Sequence, residues 1–325
     1  MKYKKILLIG LGYIGLRHLE SIIKIKNKIE ISIYDIRVKH LNSIYEKKNK
    51  QNLPKNIKLK KITKSKFNKH YDLLIIATTA KSRYILLRNL LSFVNIKSIV
   101  IEKIAFQSEI EFVKSLNLIN KNKINAWVNC TRREYNSYQY LSKIIKRNNI
   151  KNFTLKIFGN FEFSSNLIHF IDLFSYLSET DDMKMIKSKF HSIKNSKRDK
   201  FFKFSGKVEL ISGNKNKLLV ENNESSKYPL IIYFKSKYFS IKFTESSFDV
   251  KIIKNEFKIN HERLNFKHIY ISEIMTKVYY NILKKQSCNL STLQSSFFHH
   301  QLFLKQFKIF FNSNKNLKLK SIPIT

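Results

Sequence analysis

The stretch Ile6-Leu7-Leu8-Ile9-Gly10-Leu11-Gly12-Tyr13-Ile14-Gly15-Leu16-Arg17-His18 decides how the rest of the chain is read. An apolar run of strand type gives way to a pattern of helical period, and the glycines at the junction have the spacing G-x-G-x-x-G. Each glycine has a mechanical task. Gly10 permits the tight turn, Gly12 lets the backbone approach a pyrophosphate, and Gly15 lets helix and strand pack closely. Phosphates then belong at the helix N-terminus, beside Tyr13 and Ile14, where N–H groups and the helix dipole favour negative charge. A lone match of this kind is a weak signal. Asp35 strengthens it, because it falls twenty residues beyond Gly15 at the end of the next strand pattern, where a carboxylate accepts hydrogen bonds from an adenosine ribose. Arg37, two residues on, is the type that pairs with a ribose phosphate. The spacing therefore favours NAD and leaves NADP open.

Outward from this loop, strand-like runs at 5–9, 30–34, 72–77, 98–101 and 124–128 alternate with helical patterns at 13–24, 38–45, 83–91 and 108–118. That rhythm predicts a parallel sheet covered by helices on both faces. The helix over 108–118 carries Glu109 and Glu111 in its first turn, where acids favour the positive end of the dipole. One more amphipathic helix is predicted over 138–147. After Asn149 the rhythm changes. A strand at 153–163 and a helix at 166–177 precede β-like runs at 201–211, 217–220, 230–234, 239–243 and 248–253, which read as an antiparallel meander. Helices over 266–285 and 291–311 close the chain, and the polar, lysine-rich segment 181–198 reads as a loop or insertion. Two domains are expected, 1–128 for the dinucleotide and 129–325 for the substrate.

Composition limits the alternatives. With 325 residues, 43% of them hydrophobic, each half has enough apolar material for a core, which excludes a disordered chain. The net charge of +39 invites a nucleic-acid or anionic-membrane reading. The excess is nearly all Lys, spread along the chain together with heavy use of Ile and Asn, and this diffuse pattern reads as a coding bias rather than a dedicated polyanion surface. Two cysteines, Cys130 and Cys288, build no disulfide framework and suit a reducing cytoplasm. The basic start and the apolar run 6–16 imitate a secretory signal, but no small-residue cleavage site follows, and no apolar stretch is long enough to span a bilayer. His299-His300 has no neighbouring carboxylate or thiol at metal spacing, and Asp181-Asp182 reads as a turn, so no metal is implied.

Six segments in order make the sequence resemble the Gfo/Idh/MocA oxidoreductases. They are Gly10 to His18; Ile76-Ala77-Thr78-Thr79-Ala80 followed by Arg83; Ile101-Glu102-Lys103; Asn129-Cys130-Thr131-Arg132-Arg133; Asn166-Leu167-Ile168-His169-Phe170-Ile171-Asp172-Leu173; and Cys288-Asn289-Leu290-Ser291-Thr292-Leu293 before the last helix. The resemblance covers most of the chain. It implies an α/β fold in which an N-terminal Rossmann domain, a doubly wound parallel sheet, is joined to a C-terminal α+β domain built on a mostly antiparallel open sheet. It also implies an NAD(P)-dependent hydride transfer on a hydroxyl or ketone of a sugar or sugar nucleotide, in bacterial surface-polysaccharide biosynthesis, by a cytoplasmic homo-oligomer. In that family the Glu-Lys-Pro turn brings a lysine near the nicotinamide and the reacting carbinol, which points to Lys103. A histidine on the first helix of the second domain acts with it as general acid or base, which points to His169. Thr78, Thr79 and Glu102 fall on the cofactor side. This chain departs from the pattern at Ile104, where the turn has proline, and at Ser165, where many members have aspartate. Asn166 stands beside that serine, and Asp172, one turn beyond His169, is the nearest carboxylate on the helix.

Arg132 and Arg133 follow the last predicted strand of the first domain, at the edge where open α/β sheets bind ligands. Paired guanidinium groups there suit a carboxylate or the diphosphate of a nucleotide sugar, or form ion pairs within the protein. Two other function classes stay in view: a dinucleotide-binding regulatory or scaffold protein without catalysis, and a basic nucleic-acid-binding module suggested by charge alone.

Overall fold

The computed structural model describes residues 2–63, 67–196, 200–264, 271–315 and 321–324. The chain divides into two compact units, 1–129 with 270–294 and 130–269 with 295–325. The first begins with β1 (Lys4–Ile9), α1 (Tyr13–Ile23), β2 (Ile29–Tyr34), α2 (Val38–Asn49) and β3 (Ile57–Lys61). It continues through β4 (His70–Ile76), α3 (Arg83–Leu91), β5 (Asn95–Ile101), α4 (Glu109–Lys121) and β6 (Asn125–Val128). These six strands are parallel in the order β6-β5-β4-β1-β2-β3. Their near-continuous apolar runs are what a sheet covered on both faces requires: Ile6, Leu7, Leu8, Leu73, Leu74, Ile75 and Ile76 have no exposed surface. The chain leaves β1 toward β2 on one side and reaches β4 on the other. The topological switch point thus lies between β1 and β4, and their C-terminal ends open the crevice in which such sheets bind ligands.

The second unit contains α5 (Asn136–Arg147), β7 (Thr154–Gly159), α6 (Phe163–Ser178), β8 (Met183–Asn195), β9 (Phe202–Ser212), β10 (Lys217–Asn222), β11 (Ile231–Lys235), β12 (Phe239–Thr244), β13 (Asp249–Asn255) and α7 (His261–Leu264). Its sheet has the order β13-β12-β11-β7-β10-β9-β8 and is antiparallel except for the parallel β7–β10 pair. One face is buried in period-two alternation, through Leu155, Ile157, Val208, Leu210, Leu218, Val220, Ile232 and Phe234. Phenylalanines fill the space between sheet and helices, with Phe204 and Phe307 edge-to-face at 4.2 Å between ring centroids.

The structure differs from the sequence reading in three places. The segment 181–198 is largely strand, not loop: β8 runs along the edge of the second sheet and, among the described residues, pairs only with β9. Its lysines hide the strand signal because an edge strand has an exposed outer face, where charge also discourages pairing with other chains. The same reason accounts for β3, an unforeseen edge strand reading Ile-Lys-Leu-Lys-Lys. The third difference is the path of the C-terminal region. After the second unit the chain forms α8 (Ile271–Lys285) and β14 (Ser291–Thr292), which belong to the first unit, before α9 (Leu293–Lys315), whose residues from Ser295 on belong to the second. β14 pairs antiparallel with β6, and Thr276 of α8 donates its hydroxyl to the carbonyl of Ser21 at 2.8 Å. A boundary drawn at 128/129 misses this return because a two-residue strand and an amphipathic helix carry no local mark of what they pack against. The start of the helix expected over 266–285 and the end of the 181–198 segment lie outside the described residues.

Among the described residues, no helix is long and apolar enough to cross a membrane, and no cluster of side chains is suited to hold a metal ion.

Candidate active site

The glycine loop joins β1 to α1. Gly10 has φ +93°, and a Cβ there would lie 2.8 Å from the carbonyl carbon of Ala77. A Cβ on Gly15 would lie 1.8 Å from the carbonyl oxygen of Gly10, so both positions exclude any side chain. Gly12 differs. Its backbone is ordinary and a Cβ there meets nothing within 4 Å. It is the N-cap of α1, and no side chain caps that helix end. The tight positions bring the loop against the sheet, and the open position leaves room beside the first-turn N–H groups of Tyr13 and Ile14. The donor set fits a pyrophosphate.

Asp35 closes this end. It is buried, and it accepts from the N–H of Leu11 at 2.8 Å and from the backbone and side chain of Arg37 at 2.8–2.9 Å. Burial alone pushes its carboxyl up; the hydrogen bonds from Arg37 and Leu11 outweigh that and bring it down to about 2. Arg37 is 56% exposed and lies across both carboxylate oxygens, so the carboxylate and the candidate phosphate ligand neutralise one another. The imidazole Nε2–H of His40 donates to the carbonyl of Leu11 at 2.8 Å and steadies the loop from α2.

Across the crevice, Thr78 and Thr79 follow β4, and Glu102 and Lys103 follow β5. Glu102 is buried. Its Oε1 accepts from Nε2 of His18 at 2.9 Å and from the side-chain amide of Asn129. Burial opposes its charge, yet His18, Asn129 and the cation of Arg83 hold the carboxyl below its ordinary value. Lys103 is half-buried, and the peptide bond to Ile104 is cis without a proline. Arg83, 2% exposed, donates to the carbonyls of Thr78, Glu102, Ile104 and Ala105 and so ties the two loops together.

The remaining predicted residues stand in the second unit. His169 is half-buried on α6. Glu162 is the N-cap of that helix, accepting from the N–H groups of Ser164 and Ser165 at 3.0 Å each and from both hydroxyls. The carboxylate near the start of the helix is therefore Glu162, bonded to the Ser165 hydroxyl one turn before His169. Asn166 donates to the carbonyl of Glu162 at 2.6 Å. Asp172 has no exposed surface, and Arg133 grips it through Nε at 2.9 Å and Nη2 at 2.8 Å. Arg132 makes the same fork with Glu245, at 3.0 and 2.7 Å, and its guanidinium stacks 4.6 Å from the ring of Phe170. Tyr138 donates to Glu245 at 2.9 Å; burial, then the Glu245 charge, push its hydroxyl well above the usual tyrosine range.

Sequence reasoning missed these partners. Glu245 and Glu162 carry no motif. His299 does have carboxylates, Asp181 at 2.7 Å from Nε2 and Asp172 at 3.6 Å from Nδ1, brought from more than a hundred positions away. The hydrogen bond from His299, assisted by Ser295 and Ser175 against burial, lowers the Asp181 carboxyl.

No protein-family model and no curated protein matches the sequence. Solved structures do match the fold. The WlbA dehydrogenase from Bordetella pertussis, in complex with NADH and UDP-GlcNAcA, is 12% identical with a TM-score of 0.73, covering 100% of this chain and 99% of that one. The WlbA dehydrogenase from Chromobacterium violaceum, in complex with the same two ligands, is 12% identical with a TM-score of 0.71, covering 94% and 92%. A super-repressor mutant of Gal80p from Saccharomyces cerevisiae is 12% identical with a TM-score of 0.69, covering 94% and 95%. The likeness is one of fold: a parallel dinucleotide-type sheet joined to a largely antiparallel sheet with helices, the architecture of Gfo/Idh/MocA-type oxidoreductases.

Proposed function

We propose that the chain is an NAD(P)-dependent oxidoreductase that moves a hydride to or from a hydroxyl or ketone carbon of a sugar nucleotide. The observation that carries this reading is the contrast among the three glycines. Two are closed to any side chain, and the third opens onto uncapped helix N–H groups with a buried carboxylate nearby. Gly10, Gly12, Tyr13, Ile14 and Gly15 hold the pyrophosphate; Asp35 and Arg37 take the adenosine ribose; Thr78, Thr79 and Glu102 border the nicotinamide end. NAD is the preferred cofactor, in keeping with the ligand of the two WlbA structures. When bound it supplies or accepts the hydride.

The chain's own residues handle the proton. In the reducing direction the Lys103 ammonium hydrogen-bonds the carbonyl oxygen, and a proton passes to that oxygen from Lys103 or His169 as the carbon is reduced; oxidation runs the same transfer backwards. Asn166, Arg132 and Arg133 form the sugar-nucleotide side, and Asp172, which has no exposed surface, holds Arg133 from behind. The two guanidinium groups act as a charge-balanced lining, since each is already paired with a carboxylate. UDP-GlcNAcA in the WlbA complexes supports a sugar-nucleotide substrate. We place the reaction in the cytoplasm, in bacterial surface-polysaccharide biosynthesis, with a homo-oligomer formed through the open face of the second sheet.

The single tryptophan, Trp127 on β6, reports cofactor binding by its quenching on titration with NADH. Turnover is then sought across a panel of UDP-sugars and their ketones. Lys103→Met and His169→Asn abolish turnover and retain NADH binding; wild-type turnover in both variants refutes the acid–base assignment. A second reading, a dinucleotide-binding regulatory protein, is favoured by Ile104 in place of the family proline and by the shared fold of Gal80p. NADH binding with no hydride exchange across the panel would select it.

A further inference from the structure

Arg83 is among the largest fully buried side chains of the protein and opens α3. A guanidinium in such a place is unfavourable unless its donors are satisfied, and an aliphatic side chain would fill the same volume without that requirement. Where its donors go is informative. Nε donates to the carbonyl of Thr78 at 3.1 Å, and Nη2 donates to the same oxygen. Nη1 donates to the carbonyls of Glu102, of Ile104 at 2.5 Å and of Ala105 at 3.3 Å. The carbonyls of Glu102 and Ile104 belong to the residues on either side of Lys103. One rigid fork therefore holds the backbone before and after the lysine, and with its other edge it holds the loop after the neighbouring strand.

From this we infer that Arg83 is a positioning residue of the proposed oxidoreductase: it sets the Lys103 turn and the Thr78 loop at a fixed separation, so that both border one cofactor. The inference rests on the oxidoreductase reading above. The same turn is held a second time, because the Glu102 carboxylate is bonded to His18 and Asn129 while its carbonyl is bonded to Arg83. With residue 102 held at both ends and residue 104 at its carbonyl, the turn has little freedom to redirect Lys103. A lysine at position 83 would keep the charge but not the function, since an ammonium is a point donor and cannot span carbonyls from two loops as a planar guanidinium does.

The test uses the full-length chain and NADH itself as the probe, with wild type, Arg83→Lys, Arg83→Gln and Arg83→Ala compared by fluorescence titration on protein shown folded by near-ultraviolet circular dichroism. Arg83→Lys is expected to weaken NADH by about tenfold, and Arg83→Ala by more. Free guanidinium, at concentrations well below those that unfold the wild type, restores most of the affinity of Arg83→Ala. A residue that merely fills the core would lower the melting temperature without changing the affinity of the folded fraction, and added guanidinium would not help it. On any sugar nucleotide that the wild type turns over, kcat falls about a hundredfold while KM for the sugar nucleotide stays near its wild-type value. Folded variants that bind NADH as the wild type does overturn the inference and leave the oxidoreductase reading standing. A wild type that binds neither NADH nor NADPH overturns that reading, and the inference with it. Failure of all three variants to fold also overturns it, because Arg83 would then serve the core rather than the turn.

Discussion

The hydroxyl of Tyr279 lies 2.6 Å from Nδ1 of His18, and this contact is the first link of a buried chain that ends at Glu102. Burial, then the charge of Glu102, raise the Tyr279 hydroxyl well above the ordinary tyrosine range, so the phenol keeps its proton. Nε2 of His18 donates to Oε1 of the Glu102 carboxylate at 2.9 Å. A residue of α8 thereby orients a histidine of α1, and the histidine orients the carboxylate that precedes Lys103.

Tyr279→Phe preserves the ring and its packing but removes the hydroxyl bonded to the buried Nδ1 of His18. The expected loss is about 1–3 kcal/mol, read as a lower urea midpoint with unchanged slope. Unchanged stability would show that the phenol does not hold His18 in the folded protein.

The glycine loop separates a folding requirement from a binding requirement. Gly15→Ala forces a Cβ to within 1.8 Å of the Gly10 carbonyl oxygen and is expected to leave little folded protein in the soluble fraction. At Gly12 a Cβ meets nothing within 4 Å and the backbone is one that valine adopts, so the thermal midpoint of Gly12→Val is expected to stay near wild type while NADH affinity is lost. Undiminished NADH binding by Gly12→Val would remove the pyrophosphate from this loop.

Asp35 makes stability depend on pH. Its folded value, about 2, lies below the ordinary 3.8, so its contribution is fully present above the ordinary value and is lost as pH falls toward and through about 2. Asp35→Asn is therefore expected to flatten the acid limb of a stability–pH curve in that window, with the remaining slope owed to groups such as Asp181, which is also lowered. An identical acid limb in the variant would mean that the Arg37 and Leu11 bonds to Asp35 do not persist in solution.

Arg133→Met removes the cation from a carboxylate that has no exposed surface. Leaving the buried Asp172 without its guanidinium, with His299 at 3.6 Å as its remaining neighbour, is expected to cost about 3–5 kcal/mol, whereas Lys146→Ala, which breaks the exposed pair with Glu179, leaves the denaturation curve in place. Equal effects from the two substitutions would show that Asp172 is not held by Arg133.

The local features were legible. The glycine spacing, Asp35 at the end of β2 and the alternation of apolar runs with helical patterns all arise between near neighbours in the chain. They mark the C-terminal edge of the parallel sheet, the glycine loop between β1 and α1 and the turn at Lys103. β3 and β8 were not legible because an edge strand needs only one buried face and takes lysine readily on the other. The return of α8 and β14 to the first unit was not legible either.

What the sequence alone determined about this protein is the architecture of the first unit's sheet and the form of its glycine loop, since period, propensity and steric room for glycine act over a few residues. Tertiary structure alone decided which polar group meets which: Arg133 with Asp172, Arg132 with Glu245, His299 with Asp181, Tyr279 with His18. The physical reason is that buried polar groups are satisfied through space. In a chain with 62 basic side chains, no local pattern distinguishes the few that are buried and paired from the many that face water.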